Sequence, residues 1–211
     1  MTARGLPVQL GSDASGAQMV VIRILQIENR LDRPYSPFKT VTSLSADVTT
    51  RNGVCRIATF IMRRKVAFWS FNELIDPTYN DPPELVVKEL AAKLDQILFD
   101  ARLAGGPDDE LVARTDGPIV NFRDVYELGS GNNARAIPQL AKLSARKEGD
   151  IVRAARSSLG VLHADRQFDL LIREAERTDN DWEDRAVTLK AIADLGTPRP
   201  GRTWSGQGLA S

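Results

Sequence analysis

The sequence predicts an α+β protein: a small N-terminal antiparallel sheet with a covering helix, then a C-terminal bundle of two helical hairpins. Three observations lead there. Asn52-Gly53 stands between two runs of strand-forming residues, TVTSLSADVTT (40–50) and VCRIATFIM (54–62). Asp81-Pro82-Pro83-Glu84 opens an apolar stripe at helical spacing. From residue 134 to 196 the periodicity is helical throughout.

Residues 1–18, MTARGLPVQLGSDASGAQ, are rich in small residues and are expected to form an N-terminal arm. VVIRILQI (20–27) is rich in β-branched residues and predicts the first strand. Two prolines in DRPYSPF (32–38) make the next stretch extended or turning. In the second strand Leu44, Ala46 and Val48 alternate with polar residues, the pattern of a half-buried strand. Asn-Gly readily takes the positive φ that a tight hairpin turn requires. Arg63-Arg64-Lys65 is expected to form a basic corner, after which VAFWSF (66–71) is expected to add a strand.

In the helix that follows, Asp81 is a candidate cap, proline suits the first turn and Glu84 complements the dipole. Val87, Leu90, Ala91, Leu94, Leu98 and Ala101 fall on one face, and Gly105-Gly106-Pro107 stops the helix. PDDELVARTDGPIVNF (107–122) is acidic and turn-rich and is expected to be a long surface connection. The boundary between sheet and helical regions is placed within 105–131, giving domains 19–117 and 118–196. Four helical segments are expected at about 134–145, 150–162, 165–178 and 182–195, with Asp181 capping the last. The Gly/Pro-rich stretch 197–211 is expected to be an extended C-terminal arm.

Composition excludes some functions. Lys+Arg and Asp+Glu are equal at 28 each, so no net charge drives the chain toward nucleic acid or an anionic membrane. Charge is segregated, however: residues 1–80 hold 10 basic and 6 acidic groups, residues 81–130 hold 5 and 11. Such segregation favours head-to-tail association of copies or local pairing within one fold. Cys55 is the only cysteine and His163 the only histidine, which argues against a disulfide and against an ordinary zinc site. His163, at an expected helix end, is read as bonding a terminal carbonyl. MVVIRILQI (19–27) is broken by Arg23 and is too short to span a bilayer. No signal-peptide pattern, cofactor or membrane contact is expected. The expected location is the cytoplasm or an assembled particle.

VYELGSGNNAR (125–135) resembles the first nucleotide-binding motif of class I methyltransferases, with Glu127 ending a strand and Gly129 and Gly131 in the turn. The third glycine position of that motif holds Asn133. The resemblance implies an S-adenosylmethionine-dependent transferase built on residues 127–131. Read alone, the same residues are a helix-opening loop in which Ser130, Asn132 or Asn133 serves as a cap.

The four helical segments pair off. Ile137 and Leu140 match Phe168 and Leu171 at an offset of 31, and Leu159 and Leu162 match Ile192 and Leu195 at 33. VRAARSSLGVL resembles the second helix of a HEAT-type repeat, with DRAVTLKAIADLG a looser copy; the resemblance covers 134–196. It implies a protein-binding surface on the inner helices, with Arg153 and Arg156 on or near it and Asp184 and Thr188 at the equivalent places. Trp204 has no local core in its arm and, with Arg199 and Arg202, is a candidate anchor on a neighbouring chain. The leading expectation is therefore a non-enzymatic protein-interaction or structural subunit of a homomeric or phage/virus-like assembly. The alternatives are nucleic-acid binding through Arg63, Arg64, Lys65 and the C-terminal arm, and the transferase.

Overall fold

The computed structural model describes residues 20–30, 38–50, 53–65, 81–99, 109–146, 149–178 and 181–196. Within them the architecture is the α+β one expected, a three-stranded antiparallel sheet followed by seven helices. The chain divides into two compact units, one ending at Ala91 and one beginning at Ala92. The division falls inside a helix, upstream of the expected boundary.

In the first unit, β1 (Val20–Arg30), β2 (Phe38–Thr50) and β3 (Gly53–Lys65) lie in the order β1-β2-β3. Thr50 pairs with Gly53, so the second hairpin closes across residues 51–52. Gly53 has φ 124°, and a Cβ there would meet nothing within 4 Å. The backbone angle, not crowding, selects glycine. Leu44, Ala46 and Val48 are buried, as their alternation predicts. Opposite them on β3 stand Thr59, Ile57 and Cys55. Ser45 and Asp47 on the reverse face are buried too, because β2 is the central strand.

The register of β1 slips between Ile24 and Gln26, leaving Leu25 in a bulge. Ile22, Ile24 and Ile27 therefore oppose Ala46, Leu44 and Thr42, and all lie on the apolar face. Without the bulge, Ile27 would fall on the opposite face from Ile24. The basic triplet does not form a corner. Arg63, Arg64 and Lys65 continue β3 and pair with Thr40, Lys39 and Phe38. The VAFWSF strand expectation lies outside the described residues.

α1 (Asp81–Phe99) starts at the Asp-Pro-Pro signal, but its buried face differs from the one expected. Leu90 and Leu94 are buried, whereas Val87 is 55% exposed and Ala91 is exposed; Ala101 lies outside the described residues. The buried stripe is Leu85, Val86, Glu89, Leu90, Lys93 and Leu94. Two charged residues sit in its middle, which an apolar-only pattern passes over.

The second unit corrects the acidic connection. Residues 107–122 are not one loop: α2 (Asp109–Thr115) forms in their midst, and Phe122 opens α3 (Phe122–Ser130). The Asn121 side chain accepts a hydrogen bond from the Arg123 backbone N–H and caps α3. Phe122, Val125, Tyr126, Leu128 and Gly129 form its buried stripe. The chain then runs through a 3-10 turn (Ala134–Ala136) into α4 (Ile137–Ser144), and on to α5 (Gly149–Val161). A second 3-10 turn (Asp165–Gln167) leads into α6 (Phe168–Glu176) and α7 (Trp182–Leu195). Asp181 caps α7 by accepting from the Asp184 N–H at 2.8 Å, as expected.

α3, α5 and α7 pack in succession, with α4 against α5 and α6 against α7. Two glycines set the spacing. A Cβ on Gly129 would stand 2.8 Å from Ser158 Cα, and one on Gly160 would stand 2.7 Å from Ala191 Cα. The two expected hairpins thus extend to a third inner helix, α3. Its turn into α4 repeats the turn from α5 into α6 at an offset of 31 residues. Leu128-Gly129 matches Leu159-Gly160, and Asn132 (φ 53°) matches His163 (φ 48°). Asn and His are among the few side chains that tolerate this left-handed conformation.

Candidate interaction surfaces

The inner helices were the expected binding surface, and the structure places their candidate residues elsewhere. Arg153 and Arg156 on α5 are only 5% and 4% exposed, and Thr188 is fully buried. They are brought together, but with one another. Arg153 Nη1 donates to Asp184 Oδ1 at 2.7 Å, and its other amino group bonds Asp150. Arg156 Nη1 donates to Thr188 Oγ1 at 3.3 Å, and its Nη2 pairs with Glu174. Residues read as equivalent repeat positions are thus neighbours across the α5–α7 seam.

The electrostatics follow from that burial. Burial pulls the Arg153 guanidinium down, but Asp150 and Asp184 together hold it above its ordinary value. For Arg156 burial wins over Glu174, and its pKa is lowered. Arginine stays charged in either case. Farther along the seam Lys190 Nζ donates to Ser157 Oγ at 2.6 Å. Lys93 Nζ on α1 donates to Asp194 Oδ1 at 2.7 Å. These groups hold helices together and offer little to a partner.

A second junction gathers the repeated turns. Gln96 Nε2 donates to Asn132 Oδ1 at 2.7 Å and to the Val161 carbonyl at 3.0 Å. Gln96 Oε1 lies 2.9 Å from His163 Nε2. An amide oxygen only accepts, so His163 Nε2 carries the proton in this bond. The histidine side chain therefore meets a side-chain amide, not the helix-end carbonyl expected of it. Sequence pattern gave no sign of this pairing, because Gln96 is far away in the chain.

The transferase motif takes another form. Glu127 does not end a strand; it lies within α3, where Arg123 Nε donates to its Oε1 at 3.0 Å. Gly129 is buried in the same helix against Ser158, whose Oγ donates to the Val125 carbonyl at 3.0 Å. Of the three candidate caps, Asn133 acts: its Oδ1 accepts from the Arg135 N–H at 3.0 Å and starts the 3-10 turn.

Among the described residues of the first unit, β1 presents a row of exposed apolar side chains. Ile22, Ile24, Leu25 and Ile27 on β1 are 57–68% exposed. Among the described residues no strand pairs with the outer edge of β1. On the reverse, polar face Asp47 binds two arginines. Arg56 donates from Nε at 2.6 Å and from Nη2 at 3.0 Å, and Arg23 Nη1 bonds the same carboxylate. These hydrogen bonds, first from Arg56 and then from Arg23, hold the Asp47 carboxyl well below the ordinary range.

Arg63 is half-buried in β3, and for Arg64 and Lys65 only the backbone is described. Arg199, Arg202 and Trp204, with both arms, lie outside the described residues. Among the described residues no cluster of His, Cys, Asp and Glu has the geometry of a metal site. No helix among them is long and apolar enough to cross a membrane. Comparison with protein-family models, curated proteins and solved structures finds no match.

Proposed function

We propose that this chain is a non-enzymatic structural subunit that works through protein–protein contact, with copies of itself as the first partner. A phage- or virus-like particle is one setting for such a subunit. One observation carries the proposal: β1 combines a backbone edge that no strand pairs among the described residues with a row of exposed aliphatic side chains. Folded proteins blunt such edges with charge, proline, a bulge or a cover, because an open apolar edge templates pairing with another chain. β1 has a bulge and charges on its polar face, yet its aliphatic row stays exposed. Isolated exposed aliphatics are common, whereas four within six consecutive residues of an edge strand form a patch.

The test is sedimentation velocity of the full-length protein over a thousand-fold concentration range. The expected result is a sedimentation coefficient that rises with concentration. A single monomeric value throughout would overturn the proposal.

A second reading, nucleic-acid binding, is favoured by the end of the β2–β3 ladder, where Lys39 stands opposite Arg64 and Arg63 opposite Thr40. It predicts an affinity for single strands that falls steeply with salt. No measurable binding at low ionic strength would remove it.

A further inference from the structure

The exposed edge of β1 carries its own complement. We propose that two copies of this chain join through β1, strand antiparallel to strand about a two-fold axis at Gln26, so that the two sheets become one. The proposal rests on the assembly reading above and names its first contact.

The register follows from the bulge. Counting along the ladder, Leu25 is the extra residue, so Gln26 follows Ile24 as the next paired position. Placing the axis at Gln26 sets Ile24 opposite Ile27 of the second copy and Arg23 opposite Glu28. Symmetry makes each pair twice. Faces match as well. Ile24 and Ile27 both lie on the apolar face, opposite Leu44 and Thr42, while Arg23, Gln26 and Glu28 lie on the polar face, opposite Ser45, Ser43 and Val41. A two-fold pairing needs both conditions, and a regular strand would put Ile24 and Ile27 on different faces.

Charge selects among the face-consistent registers. Moving the axis to Ile24 sets Arg23 opposite Gln26 and Glu28 opposite Val21. Moving it to Ile27 sets Gln26 opposite Glu28. Only the axis at Gln26 sets Arg23 opposite Glu28 together with Ile24 opposite Ile27. An axis at Asn29 also sets unlike charges across, Glu28 with Arg30, but carries Ile22 and Ile24 beyond the paired strand. Arg23 keeps 48% of its side chain exposed while bonding Asp47, so it presents charge to a neighbour. Opposite charges facing across strands favour pairing, and like charges oppose it. One strand pair with four isoleucines is a small interface, so the dimer is expected to be concentration-dependent.

The experiment is sedimentation velocity on full-length wild type, Arg23→Glu, Glu28→Arg and an equimolar mixture of the two variants. Each variant alone sets like charges opposite each other twice and is expected to dimerise about tenfold more weakly. The mixture is expected to recover wild-type affinity, because the mixed dimer restores both unlike pairs. Arg23 also bonds Asp47, so Gln26→Cys in a Cys55→Ser background supplies an independent readout. Mild oxidation is expected to link two copies covalently across the axis.

A dimer that neither swap weakens, a mixture no tighter than its components, or a Gln26→Cys protein that dimerises without cross-linking would each overturn this pairing and leave the assembly reading standing. A protein that is monomeric at every concentration would overturn both, as expected if another segment of the same chain covers β1.

Discussion

Replacing Gly160 by alanine tests the packing of α5 on α7. The new methyl carbon would lie 2.7 Å from Ala191 Cα, 2.9 Å from its carbonyl oxygen and 3.1 Å from its Cβ. Ordinary van der Waals contact starts near 3.4 Å, so the helices must separate by about 0.7 Å. The obstacle is backbone, which cannot rotate aside. Separation also stretches the bonds Arg153–Asp184, Arg156–Thr188 and Lys190–Ser157 across the same seam. Overpacking of this kind costs about 1–3 kcal/mol, and the upper end applies here. Alanine regains about 1 kcal/mol of helix propensity over glycine. The net expectation is a loss of about 2 kcal/mol. Urea unfolding followed by far-UV circular dichroism measures it. Gly196→Ala is the control, since its nearest neighbour stands 3.6 Å away, and it is expected to leave stability unchanged. A Gly160→Ala protein as stable as wild type would refute the close approach of α5 and α7.

Other changes probe the remaining contacts. Arg153→Ala leaves Asp150 and Asp184 without their shared cation in a buried seam and is expected to destabilise by about 3 kcal/mol, read from the same urea curves. Gln96→Ala removes a partner from Asn132, Val161 and His163 together; a loss of about 1–3 kcal/mol is expected, with faster amide hydrogen exchange at both turns. The Asp47 pKa is depressed in the folded state, so its contribution to stability is fully present above the unfolded value of about 4 and is lost as pH falls through the folded one. Stability should therefore fall below about pH 4 in wild type, and less steeply in Asp47→Asn, where Asp116, also held below its ordinary value by Lys142, still contributes.

Local signals made much of the fold legible. Asn52-Gly53 marked the β2–β3 hairpin because the positive φ that Gly53 takes at the start of β3 admits few other residues. Asp81-Pro82 marked a helix start because proline suits a first turn, and Asp181 marked another because its side chain accepts from the Asp184 N–H. α3 was hidden for the opposite reason. Its Gly-Ser-Gly end reads as a loop, yet Gly129 is a contact residue whose value depends on Ser158. The face of α1 was misplaced because an apolar-only stripe passes over Glu89 and Lys93, which are buried. The repeat offset related Arg153 and Arg156 to Asp184 and Thr188 as equivalent positions of a binding surface, but not as buried neighbours, since burial of an arginine depends on where its carboxylates arrive. The exposure of Ile22, Ile24 and Ile27 left no trace in the strand pattern, which fixes faces and is silent on what covers them.

The amide of Gln96 bears on the geometry of the helical array. It grips Asn132 with one end and His163 with the other, and these residues occupy the same place in consecutive turns. A carboxamide has a fixed breadth, so it acts as a gauge block for the step from one hairpin to the next. Two bonds from one planar group restrain the distance between the turns, and so the step from one hairpin to the next.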